Sequence, residues 1–284
     1  MNLPLENKVV FVTGASRGIG RAIALAAARA GAHVVIAAKT TEPHPKLPGT
    51  IHSVAAEVRA LGREALALPL DVREEIQVQD AFAAVAKTFG RLDALVNNAG
   101  AISLTNVENT PVKRYDLMQG VNSRGLFVCA KAALPLLRAA GGGHIISLSP
   151  PLNIAPRWLA PHAPYTLSKY GMTLLALGLA GEFAGDRISV TTLWPRTTIA
   201  TAAIEFAVSA ALLPFCRTTD IMADAVLAIL TTTDGSLNGR TLLDEDLLRS
   251  RGVTDFQRYA VDPAQADSLY PDLFLDPPAQ PNDM

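Results

Sequence analysis

Very little in these 284 residues points to a metal, a nucleic acid or a membrane. There are two cysteines, Cys129 and Cys216, far apart and without metal-ligand spacing, so no metal site is expected and both read as buried free thiols. A net charge of -1 leaves no basic face for a nucleic-acid partner. No apolar run reaches the ~20 residues that a membrane span needs. The start, Met-Asn-Leu-Pro-Leu-Glu, is not a charged leader with an apolar core, and Asn282-Asp283-Met284 is not a peroxisomal address, so a cytoplasmic location is expected. Aromatics are scarce at 6%, yet hydrophobic residues reach 49%, an alanine- and leucine-rich balance suited to an α/β enzyme. Internal repeats are missing, as is any sign of a second domain. Residues 1–243 are expected to form one cofactor-binding domain. Residues 244–284, rich in aspartate and proline, are expected to be an irregular extension packed on it, fraying after Pro277.

What is present begins with a β-branched run, Lys8 to Thr13, which reads as a buried strand. It leads into Thr13-Gly14-Ala15-Ser16-Arg17-Gly18-Ile19-Gly20 and then an alanine-rich helix closed by Gly31. Strand, glycine turn and helix form an anion cradle. Glycines let backbone N–H groups approach a phosphate, and the helix N-terminus adds its dipole. The second strand, His33 to Lys39, ends where a dinucleotide fold tests the adenosine ribose. Ala38 and Lys39 stand there instead of a carboxylate, and Arg17 sits in the glycine turn, a combination that favours the 2′-phosphate of NADP. The proline-punctuated segment Thr40–Thr50 either covers the adenine end, with Lys46 near the phosphate, or is an exposed insertion.

Further strands are expected at Ala65–Leu70, Leu92–Val96, His144–Leu148, Ile188–Leu193 and Gly239–Leu243. Helices are expected at Val54–Leu61, Ile76–Phe89 and Tyr115–Leu136, the last kinked or finished by Pro135. Together they describe a single Rossmann-type, doubly wound α/β domain: a mainly parallel seven-stranded sheet with helices on both faces.

The centre of the chain is Tyr165-Thr166-Leu167-Ser168-Lys169, at the start of an apolar helix behind Pro164. Positions four apart share a helix face, so Tyr165 and Lys169 project side by side. An ammonium beside a phenol favours phenolate and lowers the tyrosine pKa. Taken alone, Y-x-x-x-K is as readily a packed tyrosine and a solvated lysine; a cofactor site is what gives the pair meaning.

The combination T-G-x-x-x-G-x-G with Y-x-x-x-K resembles the short-chain dehydrogenase/reductase family over about residues 5 to 240. The resemblance implies cofactor contacts at Gly14, Ala15, Ser16, Arg17, Gly18, Ile19 and Gly20, at Lys39, at Asp71 and Val72 beside the adenine, and at Asn98, Ala99 and Gly100 of an N-N-A-G run. It also implies Pro195, with Thr198 or Thr201, near the nicotinamide amide. Tyr165 becomes the general acid/base, Lys169 holds the nicotinamide ribose, and Asn122, at a disturbed helical turn, anchors a proton-relay water. One departure matters: Pro150 stands where the family keeps the serine that polarises the substrate carbonyl, and Ser149 is the nearest substitute. The runs S-P-P-L-N, A-P-Y-T-L-S-K-Y-G-M, W-P-R-T and L-F-L-D resemble one subgroup, the hydroxysteroid dehydrogenase-like protein 2 group, though these residues include no sterol-carrier-like domain.

The implied activity is hydride transfer between NADP(H) and a carbonyl or alcohol of an apolar, lipid-like small molecule. The apolar segment 197–216 stands where the family puts its substrate lid, though core packing or a subunit contact accounts for it equally well, and the assembly would be a homodimer or homotetramer. The rival is an NADP(H)-binding lipid sensor with little turnover, motivated by Pro150 and opposed by the intact Tyr165, Lys169 and Asn122.

Overall fold

The computed structural model describes residues 3–276; the expected fraying after Pro277 falls on residues outside that range. Seven strands are joined in the order β3-β2-β1-β4-β5-β6-β7: β1 (Val9–Thr13), β2 (His33–Ala38), β3 (Ala65–Pro69), β4 (Ala94–Asn97), β5 (Gly143–Ser147), β6 (Ile188–Trp194) and β7 (Thr241–Leu243). Every pairing is parallel, where a mainly parallel sheet was expected.

The composition of the central strands explains this. A sheet covered on both faces needs apolar side chains on both, and β1 is buried throughout as Val-Val-Phe-Val-Thr. Alternation then divides the core. Val10 and Val12 join Ile23 of α1 (Gly18–Arg29), Val54 and Val58 of α2 (Ile51–Ala60) and the later C-terminal helices. Val9 and Phe11 face the other way, with Phe11 stacked on Phe82 of α3 (Glu75–Phe89) at 4.6 Å between centroids.

The chain runs from β1 outward to β3 and then crosses back to β4. Between the carboxyl ends of β1 and β4 the sheet order reverses, which opens a crevice there. The glycine turn leaves β1 at this point, and Asn97-Asn98-Ala99-Gly100 leaves β4 beside it.

Several elements differ from the sequence expectation. Helix α2 starts at Ile51 rather than Val54, because Thr50 and Ser53 form a reciprocal cap: Ser53 N donates to Thr50 Oγ1 at 3.1 Å and Thr50 N donates to Ser53 Oγ at 2.9 Å. The long helix expected from Tyr115 is three pieces. Helix α4 (Val112–Gln119) passes through a π-turn (Gly120–Arg124) into α5 (Gly125–Ala139). Pro135 does not end α5; it lies one turn from the C-terminus, and the helix runs on to Ala139.

Beyond α6 (Pro156–Leu159) lies α7 (Ala163–Glu182), which carries Tyr165 and Lys169, and after β6 come α8 (Ala202–Ile204) and α9 (Asp220–Leu230). Residues 244–250, expected to be irregular, form α10 (Asp244–Ser250). Asp244, Glu245 and Asp246 in its first turn complement the helix dipole.

His144 on β5 makes stability pH-dependent. It is 8% exposed, its Nδ1 has no partner among the described residues, and burial pushes its pKa down to about 4 against a weaker upward pull from Asp93. The unfolded chain takes up this proton from about pH 6.5 downward while the folded chain does not. The stability is therefore present above that value, erodes as pH falls, and is fully lost below about 4. At pH 5 the loss should be about 2 kcal/mol relative to pH 7. Urea unfolding of the wild type and His144→Gln at both pH values checks it: the variant should lose less, and equal losses would remove His144 as the cause.

Candidate active site

A cavity of about 970 Å³ follows the crevice along the carboxyl ends of the strands. At one end stand Arg17, Lys39, His44 and Lys46. Arg17 donates from Nε to Pro48 O at 3.1 Å and from Nη2 to Thr40 Oγ1 at 3.1 Å and to Gly49 O at 3.4 Å. These bonds draw the 40–50 loop over the glycine turn, so the loop is a wall of the cavity and not an outlying insertion. Lys39 Nζ lies 3.1 Å from Asp71 Oδ2, and Arg73 grips the same carboxylate at 2.5 Å. The hydrogen bonds of Arg73 hold Asp71 well below the ordinary carboxylate range, ahead of the smaller contribution of Lys39.

The glycine turn is stitched to the end of β4. Asn98 Nδ2 donates to Thr13 O at 2.8 Å and Gly14 O at 3.2 Å, while Thr13 Oγ1 accepts from Asn98 N at 3.0 Å and Ala99 N at 2.9 Å. Gly20 is required by this packing: a Cβ there would lie 2.5 Å from Asn98 Nδ2 and 2.6 Å from Gly14 O. Gly14 adopts φ +67°, in the left-handed region. Gly14, Ser16, Arg17, Gly18, Ile19 and Gly20 all line the cavity. Ala15 does not; it is fully buried in the core, with its amide donating to Ala37 O at 3.3 Å.

Asp71, Val72, Asn98, Ala99, Gly100, Pro195 and Thr198 line the cavity as well, and its far end is formed by Tyr165 and Lys169. Lys169 Nζ donates to Leu148 O at 2.8 Å and sits 5.2 Å above the Trp194 ring. Burial lowers its pKa to about 8, opposed by the negative charge of Asp272. Burial raises the Tyr165 phenol above its ordinary value, and Asp272 adds to the effect. The expected lowering by Lys169 is thus not seen. Its ammonium is spent on a carbonyl and an indole face, and desolvation of the phenolate dominates.

Asn122 is fully buried in the π-turn, off the cavity. Its Oδ1 accepts from Ala101 N at 2.8 Å, and its Nδ2 donates to Ala101 O at 3.0 Å and to Ser168 Oγ at 2.8 Å. Ser168 Oγ in turn donates to Tyr165 O at 2.7 Å. Asn122 therefore ties the end of β4 to the turn of α7 that bears Tyr165.

Ser149 is not brought to the cavity. It is fully buried, its hydroxyl donates to Ser147 Oγ at 3.4 Å, and Pro150 after it is pinned by a 2.7 Å bond from Thr173 Oγ1 to its carbonyl. No hydroxyl from the end of β5 reaches Tyr165.

Sequence reading missed the strap formed by residues 270–276, which lies across the Tyr165 end. Thr198 N donates to Tyr270 O at 2.9 Å, Asp272 N to Arg196 O at 3.1 Å, and Trp194 Nε1 to Leu273 O at 3.1 Å. Asp272 lines the cavity, and Phe274 fills a nest of Trp158, His162, Tyr165, Tyr170 and Trp194 with ring centroids 5.2–6.3 Å away. Only the apolar Leu273-Phe274-Leu275 inside an acidic tail hinted at burial. Between strap and glycine turn, Ile204, Phe206, Val208 and Leu212 make an apolar wall. Among the described residues no group of three or more His, Cys, Asp or Glu is placed to hold a metal, and no helix is long and apolar enough to cross a membrane.

A parallel doubly wound sheet, a glycine cradle at its switch point and a Tyr165/Lys169 pair on the next wall define a nicotinamide-type oxidoreductase architecture. The pattern of the short chain dehydrogenase family matches residues 8–208, and the chain belongs to that family. It is 51% identical over 272 residues to hydroxysteroid dehydrogenase-like protein 2 of Xenopus tropicalis, covering 96% of this chain and 64% of that protein, so the chain spans less than two thirds of that relative's length. Among solved structures, a Xanthomonas campestris protein superposes with a TM-score of 0.91 at 53% identity, covering 96% of this chain and 99% of that one. A short chain dehydrogenase from Mycobacterium thermoresistibile gives 0.90 at 43% identity, covering 98% of each chain. A metagenomic short-chain oxidoreductase solved in complex with NADP gives 0.70 at 29% identity, covering 84% of this chain and 97% of that one.

Proposed function

We propose that this chain is an NADP(H)-dependent oxidoreductase that moves a hydride to or from the carbonyl or alcohol carbon of an apolar, lipid-like substrate. The observation that carries this is one continuous cavity with cations at one end, a glycine cradle in the middle and Tyr165 with Lys169 at the other. The cradle suits a dinucleotide: with no side chain at Gly20, α1 packs closely against Asn98 and Gly14, and the start of that helix lines the cavity. The cofactor, when bound, supplies or accepts the hydride.

The protein's own part is binding and proton handling. The backbone of Gly14 and of Ser16 to Gly20 receives the pyrophosphate, Asp71 and Val72 the adenine, Asn98, Ala99 and Gly100 the adjoining ribose face, and Pro195 and Thr198 the carboxamide. Arg17, Lys39 and Lys46 receive the 2′-phosphate. Because Asp71 also pairs with Arg73, Lys39 can turn to a phosphate without leaving that carboxylate unpaired. Lys169 holds the nicotinamide ribose, and its charge beside that ribose favours proton release from Tyr165, the general acid/base. Asn122 positions both through Ala101 and Ser168. The apolar wall of Ile204, Phe206, Val208 and Leu212 selects a lipid-like substrate. Exposed Leu167, Leu174 and Leu177 on α7 and Phe127 on α5 suit a homodimer or homotetramer, for which a monomer on sizing chromatography is the contrary result.

The cofactor assignment is tested by replacing Arg17 and Lys39 with alanine. Charge-assisted hydrogen bonds contribute about 1.5–3 kcal/mol each, so NADPH affinity should fall about 10–100-fold per residue lost while NADH affinity stays put. Equal losses for both cofactors would sink the phosphate assignment. The alternative, an NADP(H)-dependent lipid sensor with little turnover, draws on the missing β5 hydroxyl and is separated from the enzyme reading by Tyr165→Phe, discussed below.

A further inference from the structure

A carbonyl oxygen held at the Tyr165 hydroxyl lacks a second donor from β5. Ser147 and Ser149 are fully buried and bonded to each other, and Pro150 carries no hydroxyl. The other polar groups at this end are already engaged: Thr198 Oγ1 with Pro271 O at 3.3 Å, Trp194 Nε1 with Leu273 O and Lys169 Nζ with Leu148 O. Asp272 is different. It lines the cavity, its Oδ1 accepts from Leu273 N at 2.7 Å, the Trp194 indole stands beside the same carboxyl, and as a neutral acid it would still have an O–H to offer. The strap is fixed on both sides of it, by Asp272 N on Arg196 O and by the Phe274 ring stacked 6.3 Å from that of Tyr165.

We propose that Asp272, as the protonated acid, is a second hydrogen-bond donor to the substrate's carbonyl oxygen, supplied by the C-terminal strap where β5 provides none. The inference rests on the reductase reading above. An enclosed carboxylic acid that stays neutral near pH 7 can donate in this way. The surroundings favour that state. Burial pushes Asp272 up to about 7, with the nearby charge of Asp244 adding to it, while the Leu273 amide, Lys169 and the Trp194 indole pull the other way. Burial raises both Tyr165 and Cys216, and the nearby charge of Asp272 adds to each. In reduction the hydride forms the new C–H bond, the C=O π bond breaks, and the phenol proton of Tyr165 passes to the oxygen. The resulting phenolate is reprotonated from solvent. Asp272 keeps its proton throughout and stabilises the charge developing on oxygen, so it should be catalytic in reduction only below its pKa.

The test uses ¹³C-aspartate-labelled protein loaded with NADP⁺, with 2-decanone labelled at its carbonyl carbon as the probe; without hydride the complex is stable. The carboxyl signal missing from Asp272→Asn identifies the residue. It should titrate near neutrality rather than near the ordinary ~3.9. The bound ketone's carbonyl signal should lie downfield in the wild type and in Asp272→Asn, whose amide can still donate, and move back toward the free value in Asp272→Leu. With NADPH, reduction should fall about 10²–10³-fold in Asp272→Leu. In Asp272→Asn the loss of rate as pH rises through 7 should disappear. An Asp272 ionised at pH 6, or a ketone signal identical in the wild type and Asp272→Leu, would overturn the proposal; unchanged NADP⁺ affinity in the variants confirms folding. Failure of any carbonyl compound to bind beside NADP⁺ would instead overturn the reductase reading, and the titration would still decide whether Asp272 holds the proton.

Discussion

Tyr165→Phe should remove about 10²–10⁴-fold of turnover and leave NADPH affinity nearly unchanged, the range that a positioned proton donor contributes. The substitution takes away one oxygen. The ring remains, with its stacking on Phe274 and its edge contact to His162 at 6.3 Å. Lys169 keeps its bond to Leu148 O, and Asn122 keeps its tie through Ser168 to the Tyr165 carbonyl. Burial raises the Tyr165 phenol, and a positive charge beside the phenolate, the part proposed for Lys169, would ease its proton release. NADPH oxidation across a panel of apolar aldehydes and ketones, with binding followed by cofactor fluorescence, measures both quantities. Turnover that survives in the phenylalanine variant would reject Tyr165 as the acid. Tight NADPH binding with no turnover in the wild type would favour the sensor.

Phe274→Ala is expected to destabilise the protein by about 3–5 kcal/mol, the usual cost of emptying a buried phenylalanine site. Phe274 is 1% exposed, touches five aromatic rings, and holds φ +71°, a conformation that a bulky residue keeps only where packing over-determines it. Its carbonyl accepts from Asn153 Nδ2 at 3.3 Å, and Asp276 beyond it pairs with Arg157. The chain has two tryptophans, and Trp158 and Trp194 both border this ring, at 6.1 and 6.0 Å. Intrinsic fluorescence therefore reports on the strap directly. The variant should show red-shifted emission before global unfolding and a lower urea midpoint. Unchanged emission with a loss under about 1 kcal/mol would mean that the ring does not anchor the strap.

Local pattern was enough for the sheet, the glycine cradle and the Tyr165/Lys169 face, because each is written in neighbouring residues. A β-branched run is a buried strand, glycines at fixed spacing make an anion turn, and a four-residue interval puts two side chains on one helix face. The Thr50/Ser53 cap was equally local and was overlooked, which moved the start of α2 by three residues.

Other features depended on contacts between distant parts of the chain. Whether Ser149 meets the cavity turns on Ser147 and on Thr173, 23 positions beyond Pro150, which bonds its carbonyl. Whether Lys169 acidifies Tyr165 turns on burial and on Asp272, 103 positions beyond Lys169, and not on the interval between the pair. The role of the 40–50 loop was decided by Arg17 reaching across to Pro48 and Gly49. An aspartate in an acidic tail reads as solvated because most are. Asp272 is half-buried at the cavity wall because Phe274, two residues on, has a nest of five rings to fill, and seating that ring draws the carboxyl in with it. The sequence by itself determined the frame and the glycine cradle; tertiary packing decided which polar groups face the Tyr165 end, since desolvation and long-range hydrogen bonds belong to the folded state alone.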